Sequence, residues 1–336
     1  MHNDGMFRVL TTKQLCELDM PRQHVAEAVG CCLYKVRRGY FALKGRCDQE
    51  HHAVLAPFSS EPGTTFPKFH GDIRDEIERL RLQISTRRDT VLPGDVFSHV
   101  SAALLHGLDP VITGTRKVEV SRGTVTRNYP GMFVYSRKLE VSDVAEGFSY
   151  PITTLSRTLA DIALDHSLEV SVPLISQAMR DRGVSTDEVR RYLRNGRRGL
   201  RRAQVALDLS GAVYEAPSES FCAVKFHRHG ITGMVPQVDV RSAVGGLIGR
   251  NDFQHDTVPV IVEVHGVGKY YLHPDGPDEA AKQNHQRHMN LLNAGYQVFN
   301  LTFGDLFRPG SFTAIKNCID SLMIKHQRQA LAERVN

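Results

Sequence analysis

The chain has 336 residues, of which 41% are hydrophobic, 24% charged and 7% aromatic. That balance excludes collagen-like, mucin-like and wholly disordered proteins and leaves room for two or three domains at about 150 residues each. A net charge of +5 and a pI near 8.9 permit an anionic partner without demanding one. No run approaches the roughly 18 apolar residues of a spanning helix. The opening Met1-His2-Asn3-Asp4-Gly5 lacks the basic-then-apolar layout of a secretory signal. A cytoplasmic protein with no membrane partner is therefore expected.

Residues 1–45 read as a helix-turn-helix followed by a hairpin. Thr11-Thr12-Lys13-Gln14 has the form of a capping box, in which a Thr hydroxyl and a Gln amide satisfy free N–H groups at a helix start. Leu15 and Leu18 mark a buried stripe, Pro21 opens a second helix, and Gly30 is a natural stop. Two β-rich runs then flank Arg38-Gly39, as in a hairpin with a cationic tip. This is the layout of a winged helix, in which the second helix enters the major groove and the wing touches phosphates. It makes Arg22, Gln23, His24, Lys35, Arg37 and Arg38 candidate DNA contacts, although Glu27 offsets the reading helix. Any small three-helix core would give the same pattern.

Six cysteines stand at 16, 31, 32, 47, 222 and 318, with no Cys-x-x-Cys pair, so zinc ribbons and thioredoxin-type motifs are excluded. Cys31, Cys32, Cys47, His51 and His52 offer metal-ligand chemistry at a spacing that matches no finger. Reduced, mostly buried thiols are the simpler expectation.

Residues 46–88 are expected to hold an exposed linker over 45–70 and a charged helix over about 71–88. A middle domain spans 89–195. It has a packed helix capped by Ser98 and ended by Gly107, strands at 117–121 and 132–136, and a helix at 154–163 on which Arg157 and Asp161 stand four apart and can pair. His99 and Arg157 are expected to hold the fold rather than a ligand. Seven arginines lie between 190 and 202. Around the basic connector 196–210, Arg197, Arg198, Arg201 and Arg202 can grip phosphates bidentately or keep a solvated connector extended.

In the final domain, 211–326, Ser218 can cap a helix with Glu219 in its first turn. Strands follow at about 235–240 and 247–253, then an apolar run Val258–Gly266 suited to a central strand. Its period of two puts Glu263 and His265 on one face. A helix Glu, a strand Asp at 252 and a strand Glu eleven residues later form the layout of a divalent-metal phosphodiesterase site with hard oxygen ligands. The opposing reading ends a strand at Asp252 and pairs Glu263 with an arginine.

Asp252, Glu263-x-His265-Gly266, Lys269-Tyr270 and Arg287…Ala294-Gly295-Tyr296-Gln297-Val298 resemble the C-terminal domain of proteins related to very-short-patch-repair endonucleases, of the restriction-endonuclease-like PD-(D/E)xK fold. Residues 11–43, Ser98-His99…Gly107 and Thr153-Thr154…Asp161 are similar to the AbiEi-type antitoxin and transcriptional-regulator family. The resemblance implies an α+β multidomain chain with an N-terminal winged helix, an α/β antitoxin-like middle domain and a restriction-endonuclease-like end. It implies Glu219, Asp252 and Glu263 as ligands of Mg²⁺ or Mn²⁺ if the nuclease domain is active, with His265 and Lys269 as catalytic groups. The implied partners are double-stranded DNA and a cognate nucleotidyltransferase toxin encoded nearby. His265 stands where relatives usually have Asp or Lys, and Asn284 and His288 where they commonly carry Glu. The functions open at this point are a DNA-binding regulator or antitoxin with an inert nuclease-like domain, an active metal-dependent endonuclease in phage defence or repair, and a scaffold that binds protein.

Overall fold

The computed structural model describes residues 7–45, 47–59, 66, 69, 73–88, 92–148, 150–241, 245–265 and 277–333. The chain is mixed α+β and divides into two compact units, Met1–Leu174 with Val184–Gln204, and Ile175–Gly183 with Val205–Asn336.

The first unit begins with β1 (Val9–Thr11), α1 (Thr12–Glu17), α2 (Arg22–Gly30), β2 (Leu33–Arg37) and β3 (Tyr40–Leu43). The capping box forms as expected: Gln14 N donates to Thr11 Oγ1 at 3.2 Å, and Thr11 N donates to Gln14 Oε1 at 2.8 Å. Arg38-Gly39 makes the hairpin turn, with Gly39 at a φ of +79° that a side chain would strain. β1 was not expected, because three residues are too few to show alternation. It pairs antiparallel with β3, giving the order β1-β3-β2.

One face of this sheet carries a core built with Leu15, Met20, Ala28, Leu33 and Phe41. The other face packs Tyr34 and Val36 with Phe66, Phe69 and Leu82. The segment expected to be an exposed linker therefore contributes to the core. A 3₁₀ turn at Glu50–Leu55 and α3 (Ala56–Ser59) bury His52 and Leu55. Single apolar residues spaced through such short turns leave no helical period to read. α4 (Ile73–Ser85) follows close to the expected position.

The remainder of the unit holds a four-stranded sheet of order β4-β5-β7-β6, made of β4 (Val96–Phe97), β5 (Val118–Arg122), β6 (Arg127–Tyr129) and β7 (Met132–Ser136). Between β4 and β5 lies α5 (His99–Leu105), every residue of it buried. α6 (Leu155–Asp165) packs on α5. α7 (Leu168–Arg182) runs across the boundary between the units. α8 (Thr186–Arg190) returns to the first unit, and α9 (Leu200–Leu209) again spans the boundary. The basic stretch is thus partly helical, with Ala203, Ala206 and Leu207 buried.

The second unit is built as α10 (Pro217–Arg228), β8 (Met234–Arg241), β9 (Leu247–His255), β10 (Val260–His265), α11 (Pro277–Asn293), β11 (Gln297–Thr302) and α12 (Pro309–Glu333). Its sheet has the order β11-β10-β9-β8. β8, β9 and β10 form an antiparallel meander, and β11 lies parallel to β10. The parallel pair requires a crossover, and α11 lies within it. β10 is central, as its apolar run predicts, and Val260, Ile261, Val262 and Val264 are all buried. Phe226 meets Phe253 and Phe312 edge-on beside the sheet. Ala216 rather than Ser218 occupies the N-cap of α10. Pro217 at the first helical position brings no N–H to satisfy and a preset φ, so no hydroxyl cap is needed.

Thr11→Ala removes the hydroxyl that accepts from Gln14 N and leaves the backbone half of the capping box in place. It is expected to lower stability by about 1 kcal/mol, read as a shift in the urea midpoint at constant slope.

Candidate functional site

The three acidic candidates of the second unit are buried, and each is engaged from within. Glu219, fully enclosed in α10, accepts hydrogen bonds through Oε2 from Glu215 N and Gln237 Nε2, both at 2.9 Å. Asp252 lies inside β9 rather than at its end. β10 pairs with β9 only at Ile261–Gln254 and Val262–Phe253. Just beyond that pairing, Asp252 Oδ2 accepts from Val264 N at 2.7 Å, so a side chain supplies the acceptor that the neighbouring backbone would give in a continued ladder.

On the other side of β9, Pro236 pairs with Phe253 and Val238 with Asn251. Gln237, at a φ of +56°, therefore stands in register with Asp252. Glu263 Oε1 accepts from Arg287 Nη2 at 2.5 Å, and the same nitrogen donates to Asn251 Oδ1 and Arg250 O. Arg287 reaches this point by crossing Gly249, where a Cβ would lie 2.5 Å from its Nε.

His265 Nε2 hydrogen-bonds Asn300 Oδ1 at 2.8 Å, and Asn300 Nδ2 lies 3.4 Å from His288 Nδ1. Sequence reasoning did not single out Gln237 or Asn300. Lys269 lies outside the described residues.

As a donor set the three carboxylates suit a hard divalent cation. Their placement does not: among the described residues, the groups whose ligand atoms lie within 4.8 Å of one another do not include Glu219, Asp252 and Glu263, and a guanidinium already occupies Glu263. The residues as arranged do not fit a bound Mg²⁺ or Mn²⁺.

The cationic candidates of the first unit divide into two groups. Arg22 and Gln23 on α2, and Lys35 and Arg38 on the hairpin, are exposed. Gln23 also donates to Glu27, and His24 stacks on His51 at 4.5 Å. Arg37 faces inward. Its Nε and Nη2 donate to Thr86 Oγ1 and O at 2.9 Å, and its guanidinium lies 3.4 Å from the Tyr40 ring centroid. The arginine run divides likewise. Arg198 and Arg201 are exposed, whereas Arg202 donates to Leu164 O and Arg197 approaches Asp161 at 3.9 Å. The run's acid partners are not absent, since Arg190 pairs with Asp187 at 2.7 Å.

His99 and Arg157 hold the fold, through a buried ionic network. Arg157 bridges Asp143 and Asp161, both at 2.9 Å. Arg137 joins Asp161 to Asp165, and His99 Nε2 donates to Asp165 at 3.0 Å. The His99 ring stacks 3.7 Å from Tyr135. Beside this network, Glu119 accepts from Val100 N, Tyr135 Oη and His166 Nε2, each at 2.9 Å. Glu119, Tyr135, Asp165 and His166 also line a cleft of about 310 Å³ with Lys117 and Asn128. No motif pointed to it, because its residues come from three strands and a helix end.

Burial opposes charge at each of these groups, and the partners override it. His166 lowers the Glu119 carboxyl below the usual range, Glu119 raises the His166 imidazole, and His99 with Arg137 brings Asp165 to about 2.

No family model matches the chain, and no curated protein sequence matches it. Among the described residues no helix is long and apolar enough to cross a membrane.

Two outcomes are expected. Arg287→Ala should destabilise the protein by about 1.5–3 kcal/mol, measured by denaturant unfolding. The second concerns pH. The stabilisation from His166 is complete below its unfolded value of about 6.5 and is lost as pH rises through the raised folded value. That from Glu119 and Asp165 is complete above about pH 4.5 and is lost as pH falls through their lowered values. The melting temperature should therefore decline on the alkaline side of about pH 6.5, and His166→Gln should flatten that limb of the profile.

Proposed function

We propose that this protein is a DNA-binding regulator of the antitoxin type whose second unit has a nuclease-like fold without a working metal site. The observation that carries the reading is the N-terminal β-α-α-β-β arrangement with the sheet order β1-β3-β2. That order supports the winged-helix reading, and Arg22 and Gln23 on the second helix and Lys35 and Arg38 on the hairpin are exposed. A helix so placed can enter a major groove while the hairpin holds phosphates. Arg198 and Arg201 add exposed cations in the same unit.

The α-β-β-β-α-β order of the second unit, with a parallel final strand, supports the restriction-endonuclease-like reading. The guanidinium on Glu263 and the backbone N–H on Asp252 support loss of catalysis. Double-stranded DNA is the proposed partner. A nucleotidyltransferase toxin encoded nearby is the protein partner that the antitoxin resemblance implies.

One observation favours an active endonuclease instead. Glu219, Asp252 and Glu263 are all buried, and Asp252 stands next to a residue held at positive φ. Strained backbone of this kind clusters at functional sites.

One experiment separates the readings. Duplex DNA should be retarded in a gel without metal, with affinity falling steeply as salt rises. Arg38→Ala should reduce the slope of log affinity against log salt by about 0.9, whereas Arg37→Ala should lower the melting temperature. Supercoiled, linear and single-stranded DNA incubated with Mn²⁺ or Mg²⁺ should stay intact. Cleavage by the wild type that Asp252→Ala abolishes would replace this reading with the nuclease, and failure to bind DNA at low salt would reject both.

A further inference from the structure

The structure gathers three thiol sulfurs and one imidazole nitrogen within the first unit. Cys31 Sγ lies 3.7 Å from Cys32 Sγ and 3.7 Å from Cys47 Sγ. His52 Nδ1 lies 3.3 Å from Cys31 Sγ, 3.8 Å from Cys32 Sγ and 3.3 Å from Cys47 Sγ. All four atoms fall within 4.8 Å of one another. A tetrahedron with Zn–S bonds of about 2.3 Å has edges of about 3.8 Å between sulfurs, and with a Zn–N bond of about 2.05 Å it has edges of about 3.5 Å from sulfur to nitrogen. The observed separations match those edges, whereas a disulfide would place two sulfurs about 2.05 Å apart.

The burial of the imidazole points the same way. His52 is 1% exposed, and its Nε2 has no hydrogen-bond partner among the described residues. On its other side, Nδ1 faces the three sulfurs. Thiols are weak hydrogen-bonding groups, so a buried ring aimed at three of them is poorly satisfied unless a cation joins them.

We infer that Cys31, Cys32, Cys47 and His52 form a structural Zn²⁺ site. Binding converts three thiols to thiolates and releases three protons to solvent. Neutral imidazole supplies the fourth bond, and no electron is transferred. Three soft sulfurs with one imidazole in tetrahedral disposition select zinc over Mg²⁺ or Mn²⁺. His51, adjacent in sequence, takes no part, since its ring stacks on His24. The group His99, Asp161 and Asp165 is also compact, but Arg137 and Arg157 already supply its positive charge.

The site ties the end of α2, which carries Cys31 and Cys32, to the segment leaving β3, which carries Cys47, and to the 3₁₀ turn that carries His52. It fixes the second helix against the hairpin.

Purified wild-type protein should contain about one zinc per chain by elemental mass spectrometry. A mercurial that modifies thiols should release it to a chromogenic indicator. Exchange with Co²⁺ should give the strong visible bands of a tetrahedral centre together with thiolate charge transfer in the near ultraviolet. Cys47→Ser and His52→Ala should lower zinc content and melting temperature together, while Cys16→Ser and Cys318→Ser leave both unchanged. If those two ligand variants do not fold, chelation of the wild type gives the answer: metal removal should lower its melting temperature, and zinc should restore it. Wild type without zinc at full stability, or a Cys31–Cys47 disulfide in the freshly purified protein by mass spectrometry, would overturn the assignment. Metal content is measured without DNA, so its result is separate from that of the DNA-binding test.

Discussion

A carboxylate taken out of water must find donors inside the protein, or it shifts toward its neutral form. That constraint arranges much of this chain. Glu119, Asp143, Asp161, Glu219, Asp252 and Glu263 are all buried. The first three are met by His166 and by Arg157, which bridges the two aspartates. Such a network stabilises little in net terms, because desolvation offsets most of the attraction. It does penalise alternatives, since moving one member leaves another charge buried alone. His99 at a φ of +51° shows how firmly the network holds the backbone at the start of α5.

In the second unit the same constraint bears on strand geometry. Past Val262 the pairing of β9 with β10 ends, and the Asp252 carboxylate takes the N–H of Val264. Arg287 lies across Gly249 and ties Glu263 to β9 through Asn251 and Arg250. Donors from within the protein hold both acids. Asp252 and Glu263 thus serve the sheet itself, whatever else the unit does.

Local signals carried most of the helices and strands. The capping box at Thr11, the Pro21 start, the Arg38-Gly39 turn, the Ser98–Gly107 helix, the Arg157–Asp161 pair and the central strand are all properties of a few neighbouring residues. Signals that depend on distant residues were not legible. β1 exists because β3 offers an edge. The partners of Arg37, Arg202 and Glu263 lie 49, 38 and 24 positions away. The cysteine and histidine group was visible as residue types, but its spacing fits no finger pattern. Adjacent cysteines at a helix end, a third after a hairpin and a histidine on a 3₁₀ turn converge only through the fold.

The N-terminal motif is a special case of this dependence on distance. Residues 9–43 supply two short helices and three short strands, and a chain of that size rarely buries enough apolar area to fold alone. Its sheet is covered on one face by its own helices with Leu55, and on the other by Phe66, Phe69 and Leu82. Leu55, Phe66 and Phe69 lie in the stretch with the least periodicity, and Leu82 lies on α4. The inferred zinc site acts at the same weakness, since its four ligands close loops between α2, the end of the hairpin and the 3₁₀ turn without requiring further core. On the proposed DNA-binding reading, a helix that presents Arg22 and Gln23 to a rigid groove would gain from such a staple more than from added surface charge. Charge sets how strongly DNA is attracted, whereas the angle between helix and hairpin sets whether both touch it at once.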